Sequence, residues 1–158
     1  MTYEPPHPLI QQLIFEEGLR LKKYHCPAGH WTIGVGRNLD ANPEFEGNLI
    51  PDELGSRDEA LVILHFDVCQ AHSQLRAVWQ NLDTLDDARR DALVQMAFHM
   101  GAHAVAGFKN MLTALLRHEY QKAKLEALDS RWAKHDSPAR AVRVANQLLT
   151  VNYYPLPC

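Results

Sequence analysis

The run Phe15-Glu16-Glu17-Gly18-Leu19-Arg20-Leu21-Lys22-Lys23-Tyr24-His25-Cys26-Pro27-Ala28-Gly29-His30-Trp31-Thr32-Ile33-Gly34-Val35-Gly36 decides how the rest of the chain is read. It reads as a helix end, a break at Gly18, a strand, a Pro/Gly turn and a returning strand. Just upstream, Leu9, Ile10, Leu13 and Ile14 fall on one helical face, and Gly18 suits the position past a helix C-terminus. Glu17 therefore stands where the helix stops. Cys26 falls at the turn, and Thr32 lies in the returning strand before Gly34-Val35-Gly36. This spacing can bring a carboxyl, a thiol and a hydroxyl to one cleft.

Two effects favour the protonated form of Glu17. The negative end of the helix macrodipole opposes its charge, and Phe15, Leu19 and Leu21 can cover it with apolar surface. A glutamic acid kept protonated near neutral pH is what acid cleavage of a glycosidic bond requires. On these residues alone, Glu17 reads either as such an acid or as a surface carboxylate beside Glu16. Thr32 reads either as a water-positioning hydroxyl or as an ordinary strand threonine. Gly34 and Gly36 point to close backbone approach, to a substrate or to a neighbouring helix. Cys26, in a polar turn, is exposed enough to react, and no signature supports a Cys-His protease pairing.

Composition narrows the classes. A chain of 158 residues with 46% hydrophobic and 22% charged residues is ordinary for a soluble globular protein of one domain or two small lobes. A formal net charge of -3 gives no argument for a nucleic-acid partner. Cys26, Cys69 and Cys158 cannot all pair and fit no zinc module; they read as free thiols, with a Cys26 disulfide to either of the others left open. His99 and His103 share i,i+4 spacing, but Gly101 interrupts the helix and no Glu follows the first His. No metal or cofactor is expected. The proline-rich lead Met1–Pro8 lacks the regions of a signal peptide, and no apolar run approaches the roughly 20 residues of a membrane span. The expectation is a soluble product made in the cytoplasm, without stable membrane association.

Downstream, residues 37–55 read as loop, with Pro43, Gly47, Pro51 and Gly55 as breakers. Ser56-Arg57-Asp58-Glu59 is a capping box opening a helix that carries Leu61, Leu64, Val68 and Cys69 on its apolar side. Everything beyond reads as helix: 84–100 stopping at Gly101, then 108–117, 120–128, and a last helix opened by Ser137 at N-cap and Pro138 at N1, running through Leu149. The fold class that follows is α+β. A small N-terminal β-hairpin lobe spans residues 15–55 and a long helix spans residues 56–75. A larger helical C-terminal lobe takes residues 76–158, with helix 8–17 packing on it and the active-site cleft between the lobes.

Several blocks carry a family resemblance. Glu17-Gly18-Leu19-Arg20-Leu21-Lys22-x-Tyr24, a short turn ending in glycine and Thr32-Ile33-Gly34-Val35-Gly36 resemble the phage-type lysozymes, a family of glycoside hydrolases. Asp87-Ala88-Arg89-Arg90-Asp91-Ala92-Leu93, Met96-Ala97-Phe98-His99-Met100-Gly101, Val105-Ala106-Gly107-Phe108 and Ser130-Arg131-Trp132 match in order and spacing. The departures are a shortened loop between Arg37 and Ser56 and one extra residue near His135–Ser137.

The resemblance implies a lysozyme-like fold and hydrolysis, with inversion, of the β-1,4 bond between N-acetylmuramic acid and N-acetylglucosamine in peptidoglycan. Carried over by position, Glu17 is the general acid and Thr32 helps hold the attacking water. The third catalytic position, usually Asp, is Cys26. A thiol near its reference pKa of about 8.5 is a poorer base than carboxylate, so the two-carboxylate inverting scheme loses its second carboxylate. Cys26 is left three roles: stabilising an oxocarbenium-like transition state as thiolate, orienting water with Thr32, or attacking the anomeric carbon.

The resemblance also places Arg140 against Glu17 and Arg143 against Glu16, and it pairs Arg37 with Asp67. Gly36, Phe98 and His99 become residues contacting the glycan. It implies a monomeric endolysin that waits in the host cytoplasm for a holin and then acts on the cell wall in the periplasm, its partner being the peptidoglycan glycan strands. A lysozyme-like module that only binds glycan, and a lytic transglycosylase, are the alternatives.

Overall fold

The computed structural model describes residues 2–157. The chain divides into two compact units after Cys69. The first holds a hairpin-based β region and the second is helical, so the architecture is α+β and lysozyme-like.

In the first unit, α1 spans His7–Glu17, with Pro8 in its first turn where a missing N–H costs nothing. Gly18 ends it at φ 75° and returns its N–H to Ile14 O. Strand β1, Arg20–His25, pairs antiparallel with β2, Trp31–Gly34, which pairs in turn with β3, Arg37–Asn38. Tyr24 lies opposite Thr32, and His25 opposite Trp31. The turn between them closes through Cys26 N–H to His30 O and Gly29 N–H to Cys26 O.

The stretch expected to be loop carries more order than that. Besides β3 it forms a second small hairpin, β4 (Glu44–Phe45) and β5 (Asn48–Leu49). Two-residue strands leave no alternation to read, which is why the sequence shows only their breakers. The core beneath is Ile33, Leu54, Ala60 and Ile63, with Leu19, Leu21, Leu39, Phe45 and Ile50 packed against it.

Helix α2, Arg57–Val78, carries the chain from the first unit into the second. Ser56 Oγ accepts from Glu59 N–H as expected, but the Glu59 carboxylate reaches one residue further back, to Gly55 N–H at 2.6 Å.

Within the second unit a short 3-10 turn, Leu82–Thr84, is tied to α2 by Asp83, which meets His72 at 2.8 Å and Arg76 at 3.3 Å. Helix α3, Asp87–Met100, starts three residues later than its pattern suggested because Asp86 takes the N-cap and accepts from Arg89 N–H. Ala92, Leu93, Val94, Met96 and Ala97 are all buried, so α3 is covered on nearly every side. A short α4, Ala102–Ala106, follows Gly101 directly, unanticipated because five residues are too few to show a period. Then come α5 (Lys109–Leu116), α6 (Tyr120–Leu128), a π-helical turn (Trp132–Asp136) and α7 (Pro138–Thr150).

Buried Arg89 binds α3 to α7, donating to Leu148 O (2.6 Å) and Leu149 O (2.9 Å). Those carbonyls belong to the last turn of α7, where intrahelical partners are lacking.

Candidate active site

Glu17 is fixed by the sequence around it. It is the last residue of α1, and the left-handed Gly18 behind it turns the chain into β1. Its carboxyl lies against the backbone at Gly36, where a β-carbon would stand 2.9 Å from Glu17 Oε2. Gly36 has φ 69°, so glycine is required there both for conformation and for space. The close approach read from Gly-Val-Gly is thus an approach to a carboxylate. Gly34, by contrast, meets Leu54 and Ala60 at ordinary contact distance.

Thr32 is buried, and its hydroxyl donates to His30 O at 3.0 Å. The Cys26 thiol lies within reach of the same hydroxyl. Its pKa is drawn below the usual thiol value chiefly by hydrogen bonding from the His30 backbone; burial opposes this, and hydrogen bonds from Ala28, Thr32 and Gly29 add smaller pulls downward. The turn therefore favours the thiolate. Among the described residues Cys26 and Cys69 both carry free thiols, and Cys69 is shifted the other way by burial and by Glu4. Cys158 lies outside the described residues.

Tyr24 joins this group without having been expected. It pairs with Thr32, and its pKa is raised by burial and by the charges of Glu17 and Cys26, with Arg20 opposing. Tyr24 stands two residues before Cys26, which lies just past the end of β1, and that spacing is the signal the sequence offers.

Arg37, at the start of β3, is buried and reaches three partners: Asp67 Oδ1 at 2.5 Å, Glu44 O at 2.6 Å and Asn42 O at 3.1 Å. Burial lifts the Asp67 carboxyl to about 6, outweighing the pull of the guanidinium beside it. Glu16 is half-buried on α1.

The remaining predicted residues lie in the second unit. Phe98 is half-buried and His99 exposed near the end of α3. His99 Nδ1 meets Arg140 Nη1 at 3.0 Å, and its Nε2 meets Ser137 Oγ at 3.2 Å. Ser137 was expected to cap α7 with its side chain; no such cap bond forms, and the hydroxyl faces His99 instead. Arg140, buried in the first turn of α7, also donates through Nε to Gln95 Oε1 at 3.1 Å. Arg143 stands 6.0 Å from the Tyr154 ring. Next to His99 is a pocket of about 510 Å³ lined by Met100, Phe108, Met111 and Trp132 among others. Trp132 Nε1 is buried without a hydrogen-bond acceptor among the described residues.

Three relatives resemble the chain along most of its length. It is 33% identical over 168 residues to the pre-baseplate central spike protein Gp5 of Enterobacteria phage T4, covering 94% of this chain and 28% of that protein. The chain thus spans little more than a quarter of the spike protein's length. It is 26% identical to "Probable T4-type lysozyme 1" of Dictyostelium discoideum, over 87% of this chain and 91% of the relative. An endolysin of Acyrthosiphon pisum secondary endosymbiont phage 1 is 31% identical over 75% of this chain and 72% of its own. The phage lysozyme family model matches residues 15–147, from the end of α1 into α7, and the chain belongs to the phage lysozyme family.

Proposed function

We propose that the chain is a muramidase that hydrolyses the β-1,4 bond between N-acetylmuramic acid and N-acetylglucosamine in peptidoglycan, with Glu17 as general acid. The observation that carries this reading is the seating of the Glu17 carboxyl on the Gly36 backbone, on the same unit as Thr32 and Cys26. A carboxyl held at a fixed place can deliver a proton to a glycosidic oxygen without first losing its own freedom.

Thr32 holds the attacking water, its buried hydroxyl within hydrogen-bond reach of both His30 O and the Cys26 thiol. Cys26 serves with it, as a thiolate facing positive charge at the anomeric carbon and as a second contact for water. The turn that lowers its pKa supports this role over that of a neutral thiol. Gly36, Phe98 and His99 contact the glycan, while Arg140, Arg143, Glu16 and the Arg37–Asp67 pair support the site. The natural setting of this activity is that of an endolysin: a monomer made in the cytoplasm and admitted to the wall by a holin.

Loss of turbidity of a peptidoglycan suspension tests the reading. Wild-type protein should clear it, and Glu17→Gln should not. NMR of the first product separates the roles of Cys26, since the α-anomer excludes a thioglycoside route that retains configuration. The resemblance supports a second reading, a lysozyme-like module that binds glycan without cleaving it, since it puts Cys26 at the position that is usually Asp. Binding without clearance by the wild type would select that reading.

A further inference from the structure

The two strands of the first hairpin do not keep step. Arg20 lies opposite Gly34 and Tyr24 opposite Thr32, so β1 advances four residues while β2 advances two. The extra length serves the other edge of β1. Lys23 N–H donates to Asp52 O at 2.9 Å, Leu54 N–H donates to Leu21 O at 2.8 Å, and Lys22 bridges to Glu53. Strand β1 thus swings out to hold residues 52–54 and rejoins β2 at Tyr24. Irregularities of this kind re-aim a side chain next to a site. Here that side chain is Tyr24, which returns directly opposite Thr32, where cross-strand neighbours have β-carbons about 5 Å apart. The Arg20 guanidinium lies 4.3 Å from the centre of the Tyr24 ring and helps to fix its plane.

We propose that Tyr24 is a further catalytic residue, its hydroxyl holding the attacking water together with Thr32. The need for it comes from Cys26. A carboxylate offers two oxygens as acceptors, whereas a cysteine offers one sulfur, a weak acceptor. Thr32 already shares its hydroxyl with His30 O and the Cys26 thiol. Tyr24 is half-buried, and among the described residues its hydroxyl has no hydrogen-bond partner. Its oxygen is therefore free to accept a proton of the water. In the hydrolysis the water oxygen bonds to the anomeric carbon as the glycosidic bond breaks. Glu17 protonates the leaving oxygen, and the spare water proton passes to the Cys26 thiolate. Tyr24 keeps its own proton throughout, since burial, Glu17 and Cys26 raise its pKa against the pull of Arg20.

This role rests on the proposed function, in which a water attacks beside Thr32; the placing of Tyr24 does not. That placing is read by 13C NMR of the tyrosine Cζ carbons in the intact protein, titrated from about pH 8 to 12 to span the ordinary phenol pKa. Tyr24 should titrate above an ordinary tyrosine, and Glu17→Gln and Cys26→Ala should each bring its midpoint down. A midpoint that moves in neither variant overturns the inference whatever the activity.

The second measurement is the hydrolysis of soluble, uncross-linked peptidoglycan strands by Tyr24→Phe, which keeps the ring beneath Arg20 and removes only the oxygen. Its kcat should fall by between about 10- and 100-fold, as it does when a reactant is loosely held, with KM within about 2-fold of wild type. Its Tm should stay within about 2 °C of wild type, because the lost hydroxyl bonds none of the described residues. A larger fall marks the hydroxyl as structural and overturns the inference. An unchanged kcat overturns it too, and so does a rise in KM alone, which assigns the hydroxyl to the sugar and not to the water. If Glu17→Gln still hydrolysed the strands, the proposed function would fall while the titration of Tyr24 stood.

Discussion

The Glu17 carboxyl rests on the backbone of Gly36, so close that a side chain at residue 36 would meet Oε2 at 2.9 Å. That contact joins the end of a helix to the end of a hairpin through a glycine. Gly36→Ala is expected to do two things. A left-handed alanine at φ 69° costs about 1–2 kcal/mol, and the new methyl displaces the carboxyl. Gly29→Ala makes the control, since it has φ 87° but nothing within 4 Å. Thermal unfolding should show similar losses for the two variants, while turbidity clearance should fall sharply only for Gly36→Ala. Equal clearance by both would mean that the Glu17–Gly36 contact has no part in the reaction.

The two described thiols are shifted in opposite directions. Cys26 should therefore be alkylated by iodoacetamide at a pH below that of an ordinary thiol, and Cys69 only above it. Thr32→Val removes one of the groups that favour the Cys26 thiolate, so its labelling midpoint should move up. Peptide mass spectrometry across a pH series reads both sites at once. Alkylation of Cys26 should abolish clearance, and Cys26→Ala should reduce it; full activity in the alanine variant removes every catalytic role for the thiol.

Arg37 is a buried cation with three acceptors, and Arg37→Met leaves Asp67 in place without its counter-charge. The expected loss is about 3–5 kcal/mol in urea unfolding, against about 1–2 kcal/mol for Asp67→Asn, which retains an oxygen acceptor. The pH dependence follows from the sign of the Asp67 shift. Its folded value of about 6 lies above the unfolded value near 3.9, so its contribution to stability is full below about pH 4 and is lost as pH rises through about 6. Carboxyl 13C NMR should find this midpoint in the wild type and a higher one in Arg37→Met.

Val151 ends α7 at φ 60°, a conformation in which a β-branched residue is strained. It is 42% exposed, so little apolar burial is lost on replacement. Val151→Gly is expected to raise stability by about 1 kcal/mol, seen as a higher Tm. A fall in Tm would show that the Val151 side chain packs better than its exposure suggests.

How much could be read in advance depended on the range of each signal. Helix ends marked by Gly18, Gly101 and Pro138 stand where they were read, because capping and breaking are local. The hairpin from β1 to β2 was legible for the same reason, its turn residues lying between two β-prone runs. The strands between Arg37 and Leu49 and the helix Ala102–Ala106 were not, being shorter than the periods that would reveal them. Ser137 shows the limit most clearly. Its place before Pro138 predicts a cap, yet its hydroxyl turns to His99, a residue 38 positions away.

By itself, then, the sequence determined the α+β class, the helix limits at Gly18, Gly101 and Pro138, the first hairpin and the placing of Glu17 at a helix end. Those depend on residues within a few positions of one another. Tertiary structure alone decided what each site residue touches: Glu17 on Gly36, Arg37 among Asp67, Asn42 and Glu44, and Arg140 between Gln95 and His99. Hydrogen bonds and charge pairs act over about 3 Å of space regardless of separation along the chain. A residue's partners, and through them its protonation, are therefore fixed only when the chain has folded.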